Sequence, residues 1–176
     1  MSFHMHLRAT ASNEIPEDFS LLEDFMLAAW EAHPEEYAAG IADSIEKDFV
    51  QVDWLYTMGT NAGDLVRFPG DQDDTTNATN TLPIFGGRQI YRTPARDERP
   101  FVILDSAETR KAAHFLRTVS FEERWQIAGA KLSKPYVDWE DKNAARNIFL
   151  GHHNALRTFY ERAAQAGHAV IKAFWY

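Results

Sequence analysis

The stretch Asn143–Tyr176, NAARNIFLGHHNALRTFYERAAQAGHAVIKAFWY, joins a long helical pattern to a terminal strand pattern. Most of it places apolar residues three and four positions apart, which is the spacing of one face of an amphipathic helix. The residues on this face are Ala145, Ile148, Phe149, His152, Leu156, Phe159, Tyr160 and Ala163. The stretch therefore predicts a long helix with one face in a core.

The helical pattern stops at Gly167, where a residue in the left-handed conformation commonly ends a helix. After it the apolar spacing changes to two, the period of a β-strand. One face of this strand carries Ala169, Ile171, Ala173 and Trp175, and the other carries His168, Lys172 and Tyr176. A one-sided helix and a one-sided strand must both be covered by a sheet and by other helices, so the stretch predicts an architecture but no activity.

Length and composition predict one domain spanning residues 1–176. The chain is 45% hydrophobic and 13% aromatic, which supports a packed core. It has 18 Lys and Arg against 26 Asp and Glu, so its formal charge is −8. Because nucleic acids and anionic membranes favour clustered cations, this charge disfavours both as partners, and it suits a basic protein partner.

The sequence contains no cysteine, which excludes disulfides, thiol nucleophiles and cysteine-ligated metals. Residues 1–10 lack the charged and apolar regions of a signal peptide. No run of about eighteen apolar residues is present that would span a bilayer. We therefore expect a cytoplasmic protein, and no pattern calls for a cofactor.

The N-terminal part of the chain predicts a strand, two helices and a long loop. Residues 3–9 alternate apolar and polar side chains, as in a strand with one buried face. A helix should follow with Pro16 near its first position, and a second helical pattern spans 41–56. Residues 60–82 are rich in Gly, Asp, Asn and Thr, which predicts a polar loop that is either functional or flexible.

Glycines and capping residues organise the next part. Gly86 and Gly87 predict a turn, and Phe101–Leu104 predicts a short strand buried on both faces. Two capping boxes then predict helices that begin near residues 106 and 121. The capping pairs are Asp105 with Glu108 and Ser120 with Glu123. Together these patterns predict a single α+β domain, with a small, mainly antiparallel sheet that includes the N- and C-terminal strands and is packed by about five helices.

Several short motifs follow one another in a fixed order. They are Met5 in the first strand, Glu46-Lys47-Asp48-Phe49, residues 52–59, Gly86-Gly87, residues 102–108, Tyr136 with Trp139, and Phe159-Tyr160, Ala163-Ala164 and Gly167. This order resembles the YfbM-like family of bacterial proteins, the domain of unknown function 1877, over nearly the whole chain. Asp53 and Val137 stand where that family usually has His and Pro. The resemblance implies a small cytoplasmic α+β domain and no established activity.

Six residues are candidates for ligand binding, because aromatic side chains with polar tips, beside carboxylates, often line clefts or interfaces. They are Asp53, Trp54, Tyr56, Tyr136, Trp139 and His152. The alternative for the aromatic residues is core packing, and for His152 it is a buried, hydrogen-bonded position. No nucleophile or carboxylate is spaced to work with His152, so we assign no catalytic residue.

His4 and His6 share one face of the first strand, a spacing that can place two imidazoles on one metal ion. The sequence indicates no third ligand, so we predict no metal site.

Two functions stay open. The first is a non-catalytic binding module whose acidic surface engages a basic protein, for example a toxin that it neutralises. The second is a small enzyme or ligand-binding protein with a cleft lined by Asp53, Trp54, Tyr136 and His152. Homodimerisation through the edge of the C-terminal strand is compatible with either, because an exposed strand edge can pair with a second chain.

Overall fold

The computed structural model describes residues 4–58, 78–93, 99–136 and 143–175. The strands are β1 (His4–Thr10), β2 (Ala42–Glu46), β3 (Arg88–Ile90), β4 (Phe101–Leu104) and β5 (Ala169–Trp175). The helices are α1 (Phe19–Glu31), α2 (His33–Ala39), α3 (Phe49–Thr57), α4 (Ser106–Thr118), α5 (Phe121–Leu132) and α6 (Ala144–Gln165). No helix in these ranges is long and apolar enough to cross a membrane.

The five strands form one sheet in the order β2-β1-β5-β4-β3, and every neighbouring pair is antiparallel. The N-terminal strand pairs with the C-terminal strand, with Met5 opposite Phe174. On the other side of β5, Ile171 lies opposite Ile103 of β4. The predicted α+β domain with an antiparallel sheet that includes both terminal strands is therefore confirmed.

Helices cover both faces of this sheet. The larger core lies between the sheet and α3 to α6, and its strand residues include Met5, Leu7, Ile45, Val102, Leu104, Val170 and Phe174. The smaller core lies between the sheet and α1, and it contains Leu22, Met26, Phe101, Ile103, Ile171 and Ala173. Because successive strand residues point to opposite faces, both helical layers pack on the same central strands.

The predicted helix over residues 41–56 is wrong. The chain instead forms β2 at Ala42–Glu46, and α3 begins only at Phe49. The apolar spacing of four from Ile41 to Ile45 to Phe49 fits a helix, but it is also a multiple of the strand period. Pairing with β1 over five residues decides in favour of the strand.

The start of the first helix also differs from the prediction, and the short helix α2 was not predicted. Helix α1 begins at Phe19, and the carboxylate of Asp18 accepts hydrogen bonds from two backbone N–H groups of its first turn. Pro16 therefore precedes the helix. Pro34 lies at the start of the short helix α2, where its missing N–H costs nothing.

Local capping signals elsewhere are confirmed. Asp105 and Glu108 form a complete capping box on α4, and the side chain of Ser120 accepts a hydrogen bond from the backbone N–H of Glu123 on α5. Gly167 adopts a φ of 70° after α6. All four residues of β4 are buried, as predicted.

The C-terminal strand differs from the one-sided strand that its sequence predicts. Strand β5 lies in the middle of the sheet and is buried on both faces, so even Lys172 is inaccessible to water. Strand β1 pairs with all of β5, and β4 pairs with residues 170–172, so most of this strand already has partners within the sheet. Homodimerisation through the edge of the strand stays a prediction. The predicted polar loop lies mostly outside the described residues, but Leu82 at its end is buried.

Candidate functional site

A strained turn joins β2 to α3. Lys47 has a φ of 60°, and the backbone N–H of Asp48 donates a hydrogen bond of 2.6 Å to the carbonyl of Glu46. These two features define a γ-turn with a positive central φ, a rare and strained form. Such strain persists only where the surrounding structure imposes it, and it concentrates at functional sites. The strained turn therefore holds Asp48 in a defined position, as expected of a functional residue.

The carboxylate of Asp48 is held by two side chains from the C-terminal part of the chain. The hydroxyl of Tyr136 donates to Oδ1 at 3.0 Å, and Nε2 of His152 lies 3.4 Å from Oδ2. Asp48 precedes α3 but makes no side-chain cap to it, so both oxygens serve these contacts. We call Asp48, Tyr136 and His152 the Asp48 cluster.

The side chains of the Asp48 cluster are partly buried. The side chains of His152 and Asp48 are 22% and 18% exposed. Burial, the charge of Asp48 and its hydrogen bond raise the pKa of Tyr136 to about 12, so the phenol stays protonated at neutral pH. A carboxylate beside an imidazole can orient the ring for proton transfer or bind a cationic group. The cluster can therefore support either catalysis or ligand binding.

Of the five predicted site residues that the structure describes, only two lie together. Tyr136 and His152 meet through Asp48, which the sequence analysis did not select. Asp48 lies 88 positions from Tyr136 along the chain, so no spacing rule could connect them. The available signal was the position of Asp48 in a family-matched motif directly before a helix.

Asp53 instead lies in the core beside Lys172. Burial raises the pKa of Asp53 to about 7 and lowers that of Lys172 to about 7. The ammonium of Lys172 donates to the carbonyls of Leu82 and Gly86 at 2.7 and 2.6 Å. These contacts tie the 82–86 turn to β5, which is a structural role.

Tyr56 and Trp54 occupy further separate places. Tyr56 is fully buried, and its hydroxyl lies 3.1 Å from Nδ1 of His153. The buried, hydrogen-bonded histidine of α6 is therefore His153, and His152 lies nearer to solvent. Trp54 is half-buried with the ammonium of Lys131 4.3 Å from its ring centre. Trp139 lies outside the described residues, and ligand binding by the six residues stays a prediction.

The two N-terminal histidines join a ring cluster on the opposite face of the sheet. The ring of His4 stacks on Trp30 at 4.3 Å, and the rings of His6 and His33 each lie 5.3 Å from Trp30. Burial lowers the pKa of His6 to about 3, and the neighbouring His33, His4 and Arg8 act in the same direction. Within the ranges that the structure describes, no three His, Asp or Glu side chains are arranged to hold a metal ion.

The negative charge of the chain is concentrated in one segment. Residues 9–46 contain ten Asp and Glu and no Lys or Arg, so the segment carries −10 and the other residues carry +2. This segment includes α1, α2 and β2. This concentration is visible in the sequence as the absence of Lys and Arg between Arg8 and Lys47, but the total charge alone does not reveal it.

The same segment exposes apolar side chains. The described residues include five exposed large hydrophobic side chains, and four of them lie on α1 and α2. These four are Leu21, Leu27, Trp30 and Tyr37. Exposed apolar residues surrounded by like charge are typical of a protein-binding surface.

An antiparallel five-stranded sheet with helices on both faces defines the class of small α+β domains. Residues 4–173 match the family described as Domain of unknown function (DUF1877), and the chain belongs to this family. The structure is similar to the crystal structure of YfbM from Escherichia coli, described as a protein of unknown function. The TM-score is 0.59 at 14% identity, with 98% of this chain and 99% of that chain covered. This likeness shows a shared fold alone, and no curated protein matches the chain.

Proposed function

We propose that this protein is a non-catalytic binding module that docks a basic protein segment on the outer surface of α1 and α2. The observation that carries the proposal is the charge of −10 on residues 9–46 in a chain whose total is −8. We call this surface the acidic face, and define it by Leu21, Asp24, Leu27, Glu31, Glu35 and Tyr37, all of which are exposed.

Three carboxylates of the acidic face are free to contact a partner. Asp24, Glu31 and Glu35 form no ion pair with any residue that the structure describes. By contrast, Glu36 pairs with Arg8 at 2.8 Å on the inner side of the segment. Unpaired carboxylates on one surface attract a basic partner and accelerate its association.

Apolar contacts are available between these charges. Leu27 follows Asp24 by three positions and precedes Glu31 by four, so the three side chains are neighbours on one face of α1. A segment that presents Lys or Arg beside apolar residues, such as an amphipathic helix, matches both features. Charge alone would steer a partner, whereas Leu27 and Tyr37 would supply apolar area to retain it.

Charge reversal tests the proposal on the full chain. The probe is a fluorescein-labelled helical peptide whose Leu stripe is bordered on both sides by Lys, and its binding is measured by fluorescence anisotropy. We expect Asp24→Lys with Glu31→Lys to weaken binding by about tenfold or more, since two attractive charges become repulsive. The matched control, Glu123→Lys with Glu161→Lys, makes the same charge change on the opposite side of the sheet and should bind as the wild type does. Equal losses of affinity in both variants would show that binding depends only on the total charge, and would refute docking on the acidic face.

A photoreactive residue gives a second test with native partners. Placed at Leu27, which is 43% exposed, it should crosslink a discrete partner in a cell extract. The control position is Ile127 on α5, which is 70% exposed and lies outside the acidic face. Crosslinks of the same pattern from both positions would contradict docking on α1 and α2.

The Asp48 cluster supports a second candidate, a small enzyme or ligand-binding protein. The observation that favours it is the strained turn at Lys47, which holds Asp48 against Tyr136 and His152. The test is a thermal-shift screen of small molecules on the wild type and on Asp48→Asn. Compounds that stabilise the wild type but not the variant would support this candidate, and hits that stabilise both equally would argue against it.

A further inference from the structure

A cleft lies between α6 and the edge strand β2, and residues at the end of α2 also line it. Its volume is about 350 Å³, and Asp43, Asn154, Thr158, Phe159 and Arg162 are among the residues that line it. This volume lies within the range of small-molecule sites, which starts at about 300 Å³. The cleft contains no residue of the Asp48 cluster, and it shares only Tyr37, at its rim, with the acidic face.

Asp43 lines the cleft, and one oxygen of its carboxylate has no hydrogen-bond partner among the described residues. Asp43 on β2 is 4% exposed, and its Oδ1 accepts a hydrogen bond of 2.9 Å from the backbone N–H of Ser44. Its Oδ2 is buried, with no hydrogen-bond partner among the described residues. A buried carboxylate oxygen without a donor costs free energy, and a cationic donor supplied by a ligand would offset that cost.

The opposite wall holds a guanidinium that is also unpaired. The side chain of Arg162 on α6 forms no ion pair or hydrogen bond with any residue that the structure describes, and its guanidinium lies against Gly40. Gly40 has a φ of 74°, and a Cβ atom there would overlap Nη1 of Arg162. Glycine at this position therefore leaves the space that the guanidinium occupies.

Arg162 has access to ligands from two sides. It also lines an adjoining cleft of about 420 Å³ that includes Gly40, Ala166 and His168. A guanidinium binds carboxylates with two parallel hydrogen bonds, and its position at the last turn of α6 leaves it exposed.

We propose that this cleft binds a small zwitterion that carries an ammonium and a carboxylate, as an α-amino acid does. The ammonium contacts Asp43 with help from the side-chain oxygens of Asn154 and Thr158, and the carboxylate pairs with Arg162. Phe159 and Ala155 contact the body of the ligand. The contacts proposed for this ligand do not involve Asp24, Leu27 or Glu31, on which the proposal for the acidic face depends, so either proposal can fail alone.

The test is titration of the full chain with each of the proteinogenic amino acids, followed by calorimetry and by NMR shifts of α6 amides. At least one should bind saturably, and its N-acetylated and its carboxyl-amidated forms should each bind about tenfold more weakly or worse, because each lacks one charge. Failure of every amino acid to bind, or equal binding of the blocked forms, would overturn the proposal.

Variants separate the cleft from nonspecific binding. Arg162→Gln changes an exposed side chain, so it should fold normally and lose binding, and Arg162→Lys should restore part of it. Asp43→Asn should also lose binding, with circular dichroism confirming its fold. Arg157→Gln, on the same helix but outside the cleft, should bind as the wild type does. Unchanged binding by Arg162→Gln would refute the site.

Discussion

Lys172 lies in the middle of the sheet and is fully buried. Its position is tolerated because the ammonium donates to two backbone carbonyls and lies close enough to Asp53 for the carboxylate to raise its pKa against the effect of burial. The sequence placed this residue on a polar strand face that would be exposed to water. A residue that is polar by type can be buried when acceptors from distant segments surround it.

His6 is also fully buried, but neither of its ring nitrogens has a hydrogen-bond partner among the described residues. Its ring contacts the rings of Trp30 and His33, at centroid distances of 5.3 and 5.1 Å. Because its pKa falls from 6.5 to about 3 on folding, the unfolded chain binds more protons between these values. The stability that His6 contributes is therefore complete above about pH 6.5 and declines as the pH falls towards 3.

We expect His6→Leu to reduce the acid sensitivity of the protein. Between about pH 8 and about pH 5, the wild type should lose about 2 kcal/mol of unfolding free energy through His6, and the variant should not. His153, whose pKa is lowered to about 4, acts in the same direction, so part of the slope remains. Urea unfolding at the two pH values measures the difference. The control is His114→Leu at an exposed position of α4, and an identical slope in both variants would contradict the assignment.

At the scale of the element, two helices contain an interior glycine in opposite environments. Gly151 lies inside α6, and a Cβ added there meets no atom within 4 Å. Gly129 lies inside α5, where an added Cβ would come within 2.7 Å of the Trp125 ring. That ring is held between Phe121 and Phe149, at centroid distances of 5.9 and 5.6 Å, and has little freedom to move.

The same substitution should therefore change stability in opposite directions. Gly151→Ala should stabilise the protein by about 0.5 to 1 kcal/mol, because alanine loses less conformational entropy in a helix. Gly129→Ala should destabilise it by about 1 to 3 kcal/mol through overpacking against Trp125. Chemical denaturation of the two variants gives the comparison, each serving as the other's control. Shifts of the same sign would show that packing at Trp125 does not decide the outcome.

Helices and strands could be predicted from the sequence where the residues that determine them lie close together in the chain. The helix starts at residues 106 and 121 were predicted because a capping box lies within four residues of chain. The strand at Ala42–Glu46 was not, because its spacing also fits a helix and only its pairing with β1 distinguishes them. On α6, the rotation of the helix about its axis decides whether His152 or His153 is buried. Packing of His153 against Tyr56 and Phe121 sets that rotation.

At the scale of the whole molecule, the N- and C-terminal strands β1 and β5 lie side by side inside the sheet. Strand β5 pairs with β1 along its whole length and with β4 over residues 170–172. Strand β3 has three residues and lies at one edge of the sheet. Hydrogen bonds in the centre open only when the domain opens, whereas edge bonds open locally.

We expect native-state hydrogen exchange to follow this order. Amides of β5 at Ile171 and Lys172 should exchange only through global unfolding, with protection that equals the free energy of unfolding. Amides of β3 should exchange much faster, and β2, the opposite edge strand, provides an internal comparison. Measurement by NMR at several low denaturant concentrations separates local from global opening. Equal protection of β3 and β5 would contradict the strand order.

By itself the sequence determined the α+β class, the buried strand β4, the capped helices α4 and α5, and the family, because each signal lies within a few residues or in motif order. It also named Tyr136 and His152 as site candidates. Only the tertiary structure decided that β5 is central, that Lys172 and Asp53 are buried together, and that Asp48 joins Tyr136 to His152. These outcomes depend on contacts between residues far apart in the chain, such as Asp48 with Tyr136, 88 positions apart, and Lys172 with Leu82, 90 positions apart. Local periodicity records which side chains avoid water, whereas pairing and burial depend on which distant segment covers them.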